Sequence, residues 1–349
     1  MKYYKKLLCT VICLIVLIFG GCTPKTVDTA VDKQSDNLLR VHFIDVGQGD
    51  AAFIELPGGE TMLIDAGESE YGAVVSDYIK KLGYNLINYV IGTHPHSDHI
   101  GGLEEIIRKF DVKSVYMPKV SANTQTFEGL LTAVKEKGLS VNTARKDLFI
   151  INNDNLKIKF LSPVQEKYSD LNDYSAVVML NYKNNSFLFT GDAGEAVESS
   201  LEGDISCDVL KVGHHGSNTS SSLAFLKSVG PEYAVISCGK DNKYGHPHNE
   251  VIDRLLKIGA LVFRTDLSGD IVIESDGNNI MFDSNLTYLA PEVNNSSVKY
   301  ILNTSSKKIH LPDCGSVAEI SAQNKMNSNQ TVDELIAQGY SPCGKCKPE

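Results

Sequence analysis

Seven of the nine histidines in this 349-residue chain fall into three short groups: His94, His96 and His99; His214 and His215; His246 and His248. Imidazole is the commonest ligand for zinc-like ions, so a fold that uses these groups together must bring distant loops to one point. The first group, His94-Pro95-His96-Ser97-Asp98-His99, follows a strand-like run, and Pro95 keeps the loop out of a helix. Alternate residues of an extended loop point the same way, so His94, His96 and Asp98 can converge while His99 comes in beside Asp98. Four candidate ligands within six residues exceed what one tetrahedral ion with an open position takes, and this favours two metals sharing a site.

The rest of the chain reads as two similar halves. Short β-rich runs at 39–46, 51–56 and 61–64 are broken by Gly, Pro and Asp, which is a meander with tight turns. A helical period follows at 71–82, with Val74, Val75, Tyr78, Ile79 and Leu82 on one face and Gly83 as its stop. Strands at 88–92 and 112–117 then alternate with helices at 101–110 and 127–137. The second half repeats the plan: strands at 156–161, 176–182 and 186–190, then helices at 195–201, 221–229 and 249–258 among strands at 207–212, 233–237, 260–264 and 270–274. The duplication predicts two facing sheets with helices outside, an α/β (α+β) chain folded as an αββα sandwich. No glycine-rich phosphate loop follows the first strand, which argues against a Rossmann sheet.

The ends differ from this body. Met1 to Lys6 holds three lysines and 7–19 is almost wholly apolar, but that run covers only ~20 Å of helix against a hydrocarbon core of ~30 Å. It reads as an export signal, and Gly20-Gly21-Cys22 resembles the lipobox of bacterial lipoproteins, with Phe19 a departure from the usual Leu. The resemblance implies a signal over 1–22, lipidation at Cys22, a polar tether over 23–37, and an exported chain held at the outer face of the membrane. Losing Lys2, Lys5 and Lys6 takes the formal charge from −10 to −13, which excludes a wide basic surface for nucleic acid. Cys207 and Cys238, isolated in strand-like runs, read as inert buried side chains.

Beyond the first histidine group, the chain carries His42-Phe43-Ile44-Asp45-Val46-Gly47-Gln48-Gly49-Asp50-Ala51, Leu63-Ile64-Asp65-Ala66-Gly67, Phe189-Thr190-Gly191-Asp192, Leu210-Lys211-Val212-Gly213-His214-His215-Gly216-Ser217, Tyr244-Gly245-His246-Pro247-His248 and Arg264-Thr265-Asp266. With His-x-His-x-Asp-His, these segments resemble the metallo-β-lactamase fold hydrolases, and among them the soluble C-terminal domain of the competence DNA-uptake proteins of the ComEC/Rec2 type. The resemblance spans residues 38–284 and implies a binuclear metal-dependent hydrolase. It implies His94 and His96 on one divalent ion, zinc or manganese, Asp98 and His99 on the other, Asp192 bridging, and one of His214 and His215 completing the second. A third ligand for the first ion is expected between the first motif and Asp192, where no histidine occurs; Asp173 is the best substitute there, with a water as the competitor. Asp65 and Asp50 are expected to hold the metal-bound histidines from behind. Asp98, His246 and His248 are the candidate catalytic groups, and Ser217, Asn218 and Lys211 the candidate substrate contacts. A water between two such ions supplies hydroxide at neutral pH. The same chemistry serves phosphodiesters, thioesters and β-lactams, and the likeness to DNA-uptake proteins favours DNA or another phosphodiester. The alternatives are a small-ester or phosphorylcholine-type esterase, and a surface module that binds DNA or wall polymer without turnover. The chain is taken as a monomer.

Residues 285–298 read as a linker. After it, His310, Cys314, Cys343 and Cys346 give four N/S ligands around a 28-residue interval, enough for one closed tetrahedral zinc. A disulfide among the three cysteines is the competing use. Tyr300-Ile301-Leu302-Asn303-Thr304, His310-x3-Cys314 and Gly339-Tyr340-Ser341-Pro342-Cys343-Gly344-Lys345-Cys346 resemble the small metal-binding module of the Ada DNA-repair protein, with His310 in place of one cysteine. The expected organisation thus ends in a zinc-stapled tail over 299–349.

Overall fold

The computed structural model describes residues 37–291 and 299–348. The expectations for 1–22 and 23–37, Cys22 among them, and for the latter part of the 285–298 linker lie outside the described residues except for Asn37. None of the helices described is long and apolar enough to cross a membrane.

Two eight-stranded sheets carry most of the chain. The first runs in the order Ile280–Phe282, Ile271–Ser275, Leu39–Phe43, Ala52–Glu55, Thr61–Ile64, Leu86–Ile91, Asp111–Pro118, Val141–Ala144. The second runs Tyr288–Leu289, Leu261–Arg264, Tyr233–Ile236, Val209–Lys211, Asn185–Phe189, Val178–Tyr182, Leu156–Phe160, Phe149–Asn152. In both, most antiparallel neighbours are consecutive strands joined by short connections. Parallel pairing starts where the intervening segment is long enough to cross over, mostly with helix.

Strand side chains alternate between two buried faces, and this alternation builds three apolar layers. Val41, Phe43, Ile54, Met62 and Ile91 turn inward to meet Phe160, Leu180, Phe187 and Phe263 of the other sheet. Phe53, Leu63, Val90 and Val115 turn outward under Val75 and Ile79 of helix Gly72–Lys81, Leu103 and Ile106 of Leu103–Lys109, and Leu130 of Gln125–Glu136. The second sheet is covered on its outer face by Phe225 and Leu226 of Leu223–Val229 and by Val251 and Leu255 of Asn249–Lys257. The architecture is the αββα sandwich. Cutting Phe43, which is fully buried between the sheets, to alanine would cost about 3–5 kcal/mol through lost transfer energy and the cavity left behind.

Two features differ from the sequence expectation. The 270–274 run, read with the second half, crosses back: Ile271–Ser275 pairs antiparallel with Leu39–Phe43, Val41 opposite Ile273. Strands Val141–Ala144 and Phe149–Asn152 were missed because they lie at the far edges, half-exposed and without apolar alternation. The tail forms a separate four-stranded sheet, Lys325–Ser328, Tyr300–Asn303, Lys308–His310, Ser341–Pro342. Helix Val332–Ala337 accompanies it, opened by a capping box in which Thr331 Oγ1 accepts the Glu334 N–H and Glu334 Oε2 accepts the Thr331 N–H. Tyr300, Leu302, Ile309, Leu335 and Tyr340 form its small core.

Candidate metal centre

Four strand ends deliver the cluster. Asp65 follows Thr61–Ile64, His94 follows Leu86–Ile91, Asp192 follows Asn185–Phe189, and His214 and His215 follow Val209–Lys211. Gly191, at φ +53, lets the chain turn into Asp192 where a Cβ would fall 3.0 Å from Ser175 Oγ and 3.1 Å from Thr93 Cβ. The Asp192 N–H then donates to Ser175 Oγ at 3.0 Å and fixes the carboxylate between the two sheets.

Each oxygen of Asp192 faces its own set of imidazoles. Toward Oδ1 lie His99 Nε2 at 3.1 Å and His215 Nε2 at 3.6 Å, with Asp98 Oδ2 3.2 Å from His215 Nε2 and 3.9 Å from His99 Nε2. Toward Oδ2 lie His214 Nε2 at 3.6 Å and His94 Nε2 at 3.8 Å, with His96 Nδ1 3.1 Å from His94 Nε2. His214 and His215 reach opposite oxygens because both adopt left-handed backbone, φ 49 and 52. That conformation is uncommon outside glycine, and strain of this kind clusters at functional sites.

The rings are held from their other nitrogens. His99 Nδ1 lies 2.8 Å from Asp65 Oδ2, and Asp65 is itself fixed by the Thr93 N–H at 2.8 Å and the Thr93 hydroxyl at 2.7 Å. Asp50 approaches His215 and His99 from the Nδ1 side, at 3.1 and 3.9 Å, so its carboxylate backs the rings while their Nε2 atoms face Asp192. His94 Nδ1 lies 3.1 Å from Thr93 Oγ1 and 3.4 Å from Ser175 Oγ, and His214 Nδ1 lies 3.1 Å from Thr219 Oγ1.

Burial and charge push the titrations apart. Burial depresses His94 well below the ordinary imidazole value, and lowers His214 as well. It acts on His99 and His215 too, but the carboxylates outweigh it: Asp192, Asp98 and Asp65 carry His99 well above, and Asp192 and Asp50 carry His215 up to about 9. Burial works against ionising Asp192, yet His99 and His215 hold it well below the usual carboxylate range.

The residues fit divalent cations. Among the described residues, His99 Nε2, His215 Nε2 and Asp192 Oδ1 are buried and make no aligned hydrogen bond, only the ion-pair approaches given above. An unpaired buried polar atom costs about 1–3 kcal/mol, and three converging on one point are satisfied together by a cation accepting their lone pairs. His94, His96 and Asp192 likewise offer ligand atoms within 4.8 Å of one another.

The cluster opens to a cleft of about 320 Å³ lined by His96, Asp98, Asp192, His214 and His215, with Gln48, Glu68, Ser97, Asn172, Tyr244 and His246 around them. Several expected site residues fall elsewhere. Lys211 is 4% exposed, pairs with Asp50 Oδ1 at 2.8 Å and donates to Val212 O at 2.9 Å, so it braces the cluster from inside and does not reach the cleft. Asp173 takes the Gly194 N–H and stays outside the converging set, while His214 stands on the Oδ2 side where a third ligand was sought. Ser217 is buried with its hydroxyl on Thr219 Oγ1, and the Asn218 N–H goes to His248 Nδ1, so none of these three lines the cleft. His246 does line it, pushed down to about 4 by burial and then by the charges of His215 and His214. Gln48 and Tyr244 each sit beside a glycine that turns the loop, and neither carries a charge or ligand chemistry that marks it in the sequence as a cleft residue. Glu68 and Asn172 gave no motif signal.

In the tail, the ligand atoms of His310, Cys314, Cys343 and Cys346 lie within 4.8 Å of one another. All three cysteines are free thiols, and the Leu311 and Lys345 N–H groups each point at a sulfur, Cys346 and Cys343, from 3.4 Å. Four N/S donors with no open position suit a closed tetrahedral zinc.

Comparison with known proteins agrees with this geometry. The model of the metallo-beta-lactamase superfamily matches residues 44–240. The chain is 30% identical over 251 residues to ComE operon protein 3 of Bacillus subtilis, covering 66% of this chain and 32% of that protein. It is 30% identical over 240 residues to Recombination protein 2 of Haemophilus influenzae, covering 66% and 28%. It is 31% identical over 241 residues to competence protein ComA of Neisseria gonorrhoeae, covering 67% and 32%. The matched part is thus about a third of the length of these relatives. The chain belongs to the metallo-beta-lactamase superfamily, and its relatives are competence proteins of the ComEC type.

Proposed function

We propose that the chain is a two-metal phosphodiesterase that cleaves DNA outside the cell, anchored to the membrane through a lipid on Cys22. The observation that carries the hydrolytic part is the pair of imidazole sets on the two oxygens of one buried carboxylate, open to a cleft. His94, His96 and His214 would hold one ion, Asp98, His99 and His215 the other, and Asp192 both. Two divalent ions, zinc or manganese, supply Lewis acidity there and lower the pKa of a neighbouring water. Asp98 faces the cleft with a quarter of its side chain exposed, and although burial works against its charge, His99 and His215 hold its carboxyl below the usual range, so it stands there as an ionised oxygen ligand. DNA as the substrate is supported by the competence and recombination relatives. Among the described residues no Lys or Arg lines the cleft; Lys240 and Lys243 stand on the loop that leads to Tyr244, a short track for a single strand. We further assign 38–284 as the hydrolase domain and 299–349 as a module stapled by a structural zinc on His310, Cys314, Cys343 and Cys346.

Protein from Thr23 onward, loaded with Mn²⁺ or Zn²⁺, should degrade single-stranded DNA, and Asp192→Ala should abolish this. Release of nitrophenol from bis(p-nitrophenyl) phosphate with no cut DNA would remove the nuclease assignment and leave the hydrolase.

A further inference from the structure

Gln48 ties the two halves of the sandwich together at the mouth of the cleft. Its Oε1 accepts the Gly239 N–H at 3.2 Å, which orients the amide and leaves Nε2 to donate to His246 Nδ1, 3.4 Å away. The approach is tight: a Cβ at Gly239 would fall 2.7 Å from the Gln48 backbone nitrogen. His246 is seated from other directions as well. Asn242 Nδ2 donates to His246 O at 2.5 Å, Asn242 Oδ1 accepts the His246 N–H at 3.0 Å, and Tyr244 stacks on the imidazole with centroids 5.6 Å apart.

A ring nitrogen that accepts a hydrogen bond cannot carry the proton, so the neutral imidazole has it on Nε2. His246 Nε2 has no partner among the described residues, and the ring lines the cleft beside His214 and His215. His248 also accepts at Nδ1, from the Asn218 N–H, but it stays out of the cleft.

We propose that Gln48 is a positioning residue that keeps Nδ1 of His246 as the acceptor and its proton on Nε2, so that the cleft presents an N–H donor to an anionic oxygen of the substrate. The proposal rests on the phosphodiester reading of the site. It gives His246 the role of a preorganised donor aimed at developing charge, with no proton passed to the leaving group.

The test uses the full-length protein, ¹⁵N-labelled, zinc-loaded and in detergent. Long-range ¹H–¹⁵N spectra, assigned with His246→Gln, read the tautomer directly and should show the His246 proton on Nε2. Gln48→Glu keeps an oxygen for the Gly239 N–H but turns the donor into an acceptor, and should move the proton to Nδ1. With bis(p-nitrophenyl) phosphate, kcat should then fall on the order of tenfold to a hundredfold with KM nearly unchanged, and by less in Gln48→Met. A purely structural role gives the opposite order, because Glu is the closer match in shape; that order would overturn the proposal. So would a wild-type proton on Nδ1, or an unchanged tautomer in Gln48→Glu. If the wild-type protein hydrolyses no phosphodiester with any ion, the functional reading fails, and the spectra still decide the role of Gln48.

Discussion

On the Oδ1 side of Asp192, His99 and His215 rest on buried carboxylates, Asp65 and Asp50, whereas on the Oδ2 side His94 and His214 rest on the hydroxyls of Thr93, Ser175 and Thr219. A carboxylate behind an imidazole raises its basicity and fixes its orientation, while a hydroxyl orients it with little charge. The same ligand type thus makes two different sites. On the Oδ1 side His99 and His215 bind protons strongly, whereas on the Oδ2 side burial keeps His94 and His214 neutral.

Asp192→Ala breaks the comparison outright, since it removes the carboxylate common to both sides. Metal analysis should find the sandwich without either ion while the tail keeps its zinc. Lys211→Met comes next. It leaves Asp50 buried without its cation, and breaking such a pair costs roughly 3–5 kcal/mol, readable in urea unfolding. A Lys211→Met, Asp50→Leu double variant should recover most of that loss. Asp65→Asn should weaken the Oδ1-side ion by about 10–100-fold and leave the other unchanged, seen as a wider gap between two phases of a metal titration. Equal weakening of both phases would erase the distinction drawn here.

The two sides should also differ in their pH slope. His99 and His215 must lose protons to bind metal, and His215 holds its proton up to about 9, so affinity on the Oδ1 side should rise about tenfold per pH unit for each proton displaced below that value. His94 and His214, both lowered, are already neutral at pH 7, so the Oδ2 side should stay level. Calorimetry in buffers of different ionisation enthalpy counts the protons released in each phase.

Much of this was legible in the chain itself. The sandwich followed from alternating apolar residues and helical periods, and the interest in Asp192 came from the family resemblance, with its place after Gly191 at a strand end as support. Asp173 was sought as a ligand because the interval before Asp192 holds no histidine. The residue found on that side, His214, was hidden in a pair whose neighbours reach opposite oxygens only through two successive left-handed residues, a conformation no composition announces. Lys211 misled for a related reason. A sequence shows its charge but not its partner, and Asp50 approaches it only after the two sheets have closed. Gln48 lay in view inside Gly47-Gln48-Gly49, yet its role depends on Gly239 and His246 from the other half.

The returning strand Ile271–Ser275 has a consequence for how the protein is made. It supplies the second neighbour of Leu39–Phe43, and Arg40 reaches Glu274 across the pair at 2.8 Å. Until the ribosome has released residue 275, the first strand of the domain has Ala52–Glu55 on one side and an open edge on the other. Long-range pairing of this kind forms late. A stalled or truncated chain would expose that apolar edge, and aggregation would begin there.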